Sequence, residues 1–149
     1  MNTALAIQQS AFVVSVNYSQ SLRQMIDAGG YEEVSKDINS RNFYLESTGY
    51  RETELTLVQF KTPKTPLEVL TLMKEKGCRP ATIEELLSLG KTQPDLQRSI
   101  PIVGLGSSRT FRGKRWFPCL GGNQAKRSLA LVVMYRSWSI YYRFAFVKE

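Results

Sequence analysis

The chain has 149 residues, 42% hydrophobic and 22% charged, with two cysteines and no histidine, a size and composition suited to one globular domain with its own core. Absence of histidine excludes Ser-His and Cys-His nucleophile arrangements and the commonest general base near neutrality, and two cysteines alone leave a zinc ion short of its four ligands. The net charge of +7 and pI near 9.6 favour encounters with anionic partners.

Residues 1–10 read as a polar, frayed lead-in, without the basic and apolar regions of a secretion signal. From Phe12 the chain alternates, with Phe12, Val14, Val16 and Tyr18 on one side, as in a strand with one buried face. Ser19 or Ser21 can cap a short helix in which Leu22, Met25 and Ile26 share a side, and Gly29-Gly30 ends it. Residues Tyr31 to Tyr50 read as loop with one helical turn. Thr53 to Lys61 alternates again and predicts a second strand. Thr65-Pro66-Leu67-Glu68 joins an N-cap, a first-turn proline and a capping-box glutamate, and Gly77 closes the helix it opens. A second capping box, Thr82-Ile83-Glu84-Glu85, opens another helix, for which Gly90 is the expected stop. A short turn of helix is expected between Gln93 and Ser99.

Residues 101–149 read as a basic, aromatic β-meander. They hold nine of the sixteen aromatic residues, and nine cations against one acid, Glu149. Ile102 to Gly106 and Arg109 to Arg112 are expected strands, Gly113-Lys114 and Gly121-Gly122-Asn123 turns, and Ser128 to Tyr135 a central strand. Tyr141 to Val147 closes the sheet, with Tyr142, Phe144 and Phe146 on one face. The fold class that follows is α+β, a single domain spanning 1–149, with an antiparallel sheet or meander packed against two to four short helices. The longest apolar run, Leu129 to Tyr135, is too short to span a membrane, and the expected location is cytoplasmic with both cysteines reduced.

Several stretches resemble an uncharacterised bacterial protein family: Tyr18-Ser19-x-Ser21-Leu22-x-x-Met25-Ile26-x-Ala28-Gly29-x-Tyr31, Gly77-x-Arg79-Pro80-Ala81-Thr82-x-Glu84-Glu85-Leu86-Leu87, Pro101-Ile102-Val103-x-Leu105-Gly106-Ser107 and Arg143-Phe144-x-x-Val147. That resemblance implies no activity. The order of Gly-x-Arg, Thr-x-Glu-Glu-Leu helix, Gly-Ser-Ser, Trp-bearing strand and closing aromatic strand is also similar to C-type-lectin-like domains, which implies such a fold from about Glu54 to Glu149. Pro80 stands one place earlier than in that family's motif. The family's calcium site does not carry over, because residues 101–148 contain neither Asp nor Glu and calcium needs several carboxylate oxygens.

No catalytic residue, metal ligand or cofactor is expected. Glu84 and Glu85 point about 100° apart on a helix and read as a first-turn charge and a capping partner, while Cys78 and Cys119 read as small hydrophobes. Gly104-Leu105-Gly106-Ser107-Ser108 is glycine-rich but precedes a strand, whereas phosphate loops open onto a helix. The chemistry-bearing pattern is cationic and aromatic. Arg109, Arg112, Lys114, Arg115, Trp116, Lys126, Arg127, Arg136 and Arg143 form the candidate ligand-binding set, cations for phosphates and rings for unpaired bases. The expected function is a non-catalytic binding module engaging an anionic macromolecule, chiefly nucleic acid. The alternatives are a module anchored by Trp and Arg on an acidic partner protein, as in a phage or mobile-element inhibitor, and a cofactor-free enzyme using carboxylates. Phe144, Phe146 and Trp138 are expected in the core. Oligomeric state is left open.

Overall fold

The alternation that begins at Phe12 belongs to a longer strand in the computed structural model, which describes residues 6–45, 48–133 and 139–149. Strand β1 (Ala6–Asn17) pairs antiparallel along its length with β3 (Tyr50–Phe60). Residues 6–10 are therefore held in a ladder rather than frayed, because the far end of β3 supplies their backbone partners. Val14 and Val16 are buried and Val13 is exposed, as period two requires.

The helices start where their caps place them. Helix α1 (Leu22–Gly29) is opened by Ser21, whose hydroxyl accepts from the Gln24 amide at 3.1 Å, while the Gln24 side chain accepts from the Ser21 amide at 2.9 Å. Gly30, at φ 65°, ends it. Thr65 and Glu68 make the same reciprocal pair before α2 (Pro66–Glu75), and Thr82 and Glu85 before α3 (Ile83–Thr92). Gly90 does not stop α3, which runs two residues further. It is a contact point for Tyr31: a Cβ at Gly90 would strike the Tyr31 hydroxyl, and one at Gly29 the ring. A short helix α4 (Leu96–Ser99) follows. Between Tyr31 and Tyr50 the described residues form no helix; they form turns and strand β2 (Glu33–Val34).

The remaining strands are β4 (Cys78–Pro80), β5 (Ile102–Val103), β6 (Arg109–Phe111), β7 (Lys114–Gly122), β8 (Arg127–Val133) and β9 (Arg143–Lys148). The sheet runs β1-β3-β9-β5-β7-β8-β2, with β4 on β9 and β6 on β7. The α+β class stands, and two parallel pairings, β5 with β9 and β2 with β8, make the sheet mixed rather than a plain meander. The closing strand inserts between β3 and β5 instead of extending the edge. Strand β5 is shorter than expected because the chain turns off the sheet after Gly104, whose amide still donates to Pro118 of β7, and the Gly106 amide donates instead to the Ala81 carbonyl before α3 at 2.7 Å.

Both faces of the sheet are covered. Leu55, Leu57, Ile102, Leu120, Ala145 and Val147 pack with α1 and α3 on one side. Val58, Phe60, Val103, Cys119, Phe144 and Phe146 pack with Val69 and Met73 of α2 on the other. Phe144 and Phe146 are thus core residues, and Trp138 lies outside the described residues. Strand β8 is less covered than a central strand: Leu129 is buried, but residues 130–133 are half-buried, since its outer neighbour β2 is two residues long. Cys78 and Cys119 form no disulfide. Burial pushes the Cys119 thiol up to about 12 and also raises Cys78, so neighbouring cations do not make Cys119 a thiolate. Among the described residues no helix is long and apolar enough to cross a membrane.

Candidate nucleic-acid interface

Strands β6 and β7 are joined by a two-residue turn: Phe111 pairs with Lys114, and Arg112 and Gly113 lie at φ 52° and 76°. Positive φ at both central residues is the mark of a type I′ turn, whose twist suits a hairpin. The turn falls one residue earlier than expected, and this puts Arg112 at the tip. Directly paired residues share a face of a ladder, so Arg109, Phe111, Lys114 and Trp116 lie together and Thr110 and Arg115 lie opposite. The Phe111 ring is 44% exposed. The Arg109 and Arg112 guanidinium carbons stand 4.6 and 5.1 Å from its centroid, within cation–π range. Arg109 also reaches Asp37 at 3.5 Å, which ties the hairpin to the loop after β2. Arg112, Lys114 and Arg115 are exposed, and Trp116 is half-buried at the hairpin's base.

The other candidates do not join this cluster. Lys126 lies beyond the opposite end of β7, about 26 Å along the strand, and pairs with Glu33 at 3.9 Å. Arg143 begins β9 in the middle of the sheet, level with Ile102 of β5. Arg136 lies outside the described residues, as does Tyr135.

Arg127 is a correction. It is 4% exposed and turned into the protein. Its guanidinium donates to the carbonyls of Gly29, Gly90 and Pro94 and to the side chain of Gln97, and it lies 4.6 Å from the centroid of Tyr31. Gly29 closes α1 and Gly90 sits in the last turn of α3, so the negative ends of two helix dipoles hold the cation where a carboxylate would otherwise be needed. Nothing in the local sequence marks this, because every one of these carbonyls lies more than thirty residues from Arg127.

The glycine-rich run after β5 does meet a helix N-terminus, although a different one from the helix a phosphate loop would open. The Ser107 hydroxyl accepts from the Ile83 amide of α3 at 2.8 Å, so the protein itself fills that position. Beside it, Glu85 is fully buried and receives two bonds from Arg79, at 2.9 and 2.7 Å, as well as the Thr82 amide at 2.9 Å. Its capping role is as expected, but its ion pair with Arg79 was not legible from the box alone.

No protein-family model matches the chain, and no curated protein or solved structure is significantly similar to it.

Proposed function

We propose that the protein is a non-catalytic binding module that engages nucleic acid through the β6–β7 hairpin. One observation carries the reading: an exposed phenylalanine is flanked by two guanidinium groups on a turn whose tip is an arginine in the left-handed region. Left-handed backbone suits Gly, Asn or Asp, so arginine there is an expensive choice for the fold alone. An exposed ring offers a stacking surface for an unpaired base, and the surrounding cations neutralise phosphates. The ladder is three residue pairs long, about 10 Å, enough for a few nucleotides. A cytoplasmic setting, and a C-type-lectin-like arrangement of Glu54 to Glu149, belong to the same reading.

Fluorescence anisotropy with labelled single-stranded oligonucleotides over a salt series tests this. With about four phosphates neutralised, log affinity should fall against log salt with a slope of about −2.8. Arg112→Ala, Lys114→Ala and Arg115→Ala together should reduce the slope to about −0.7 without lowering the unfolding midpoint. Absence of binding at low salt, where a net charge of +7 helps most, overturns the proposal. That outcome would turn the search to an acidic protein partner, for which the exposed Leu67 and Leu70 on α2 supply an apolar contact.

A further inference from the structure

A cleft of about 370 Å³ opens beside the N-terminus of α3. Three distant stretches of chain meet in it: Tyr18 after β1 with Arg51 of the paired strand, Arg79 to Glu85 leading into α3, and Gly106 of the loop after β5. The wall at Gly106 is bare backbone, since a Cβ there would stand 2.6 Å from the carbonyl oxygens of both Pro80 and Ala81.

The two adjacent glutamates in this cleft differ. Glu85 is saturated by Arg79 and Thr82. Glu84, only 6% exposed, lines the cleft, and its carboxylate makes no hydrogen bond or ion pair among the described residues. The start of a helix favours a negative charge, which accounts for a carboxylate at this position but leaves its oxygens without donors. The residue is buried but its oxygens are not among the buried unpaired atoms, so the carboxylate is reached through the cleft that it lines, where a ligand donor can bond it in place of water. Tyr18 faces the same space. Burial foremost, then the charges of Glu85 and Glu84, push its phenol up, so it meets a ligand as a neutral hydroxyl.

The charges decide the class of ligand. Arg51 and Arg79 stand against Glu84 and Glu85, so the lining is balanced. A simple cation would meet two guanidinium groups and a simple anion two carboxylates. A molecule bearing both charges suits both, and the volume lies within the range of sites for small molecules. We infer that this cleft binds a small zwitterion of the amino-acid class, its ammonium donating to the Glu84 carboxylate and its carboxylate meeting the exposed guanidinium of Arg51. The site is separate from the hairpin and does not depend on its function.

The test is a titration of the isotope-labelled full chain, following the amides of Thr82, Glu84, Glu85 and Gly106 by nuclear magnetic resonance. The probes are glycine, L-alanine, L-lysine and γ-aminobutyrate, with putrescine and succinate as single-sign controls. At least one zwitterion should give saturable shifts with a dissociation constant of about 10 mM or tighter, and the controls should bind at least about tenfold more weakly. Glu84→Gln should weaken that binding about tenfold or more. Arg51→Gln, an exposed change that spares the fold, should weaken it as well. The inference is overturned if no zwitterion saturates by about 50 mM, if a control binds as well, or if binding survives both substitutions.

Discussion

At the residue scale, one tight constraint is the packing of Tyr31 against two glycines and a buried cation. Gly29 and Gly90 bring α1 and α3 close to the Tyr31 ring, and Arg127 lies over that ring while bonding the backbone of both helices. Burial pushes the Tyr31 phenol up to about 12, against the opposing pull of Arg127, and its hydroxyl has no hydrogen-bond partner among the described residues. In an exposed helix, alanine in place of glycine gains about 1 kcal/mol. Here the sign should reverse, because the new Cβ strikes the Tyr31 hydroxyl, and Gly90→Ala should cost about 1–3 kcal/mol. Tyr31→Phe removes that oxygen without orphaning a bond, so Gly90→Ala should cost clearly less in that background. Urea unfolding of the four proteins in this cycle measures the coupling. Equal costs in both backgrounds would show that the contact does not explain the glycine.

At the scale of elements, the capping boxes at Thr65 and Thr82 were legible because both partners lie within four residues of each other and serve backbone amides of the same turn. The roles of Gly90 and of the end of β5 are hidden from the sequence for the converse reason. Glycine within a helix or after a strand reads as local punctuation, whereas Gly90 and Gly106 answer to Tyr31 and to the Pro80-Ala81 backbone. The hairpin lies between these cases: its existence follows from glycine among alternating residues, but its register decides that Arg112 takes the left-handed place. That choice separates fold from function. Arg112→Asn should relieve strain and raise stability by about 1 kcal/mol. It should also remove one phosphate contact and shift the salt slope by about 0.7 for single strands. Thermal unfolding and anisotropy on the same sample check both. A variant that is less stable, or that binds unchanged, would mean the arginine serves the turn instead.

For the molecule as a whole, the class of fold was readable and the order of strands was not. Alternation shows that Tyr142, Phe144 and Phe146 share a face, but it carries no information on which strands flank β9, and its neighbours β3 and β5 lie more than forty residues apart. The basic last third shows the same limit: its charge was legible as a sum, yet the fold distributes it to a hairpin tip, a sheet centre, a far turn and the interior. The insertion of β9 has an energetic consequence. Strands β3, β9, β5 and β7 send alternate side chains into both cores, so neither layer can loosen without exposing the back of the other. Met73→Ala beneath α2 and Leu86→Ala in α3, both essentially buried, should each cost about 2–5 kcal/mol. They should shift one common transition by denaturant, with tryptophan fluorescence and far-ultraviolet circular dichroism coinciding and the slope unchanged. A second transition appearing only in Met73→Ala would show that α2 and its face unfold separately, and that the shared sheet does not couple the layers.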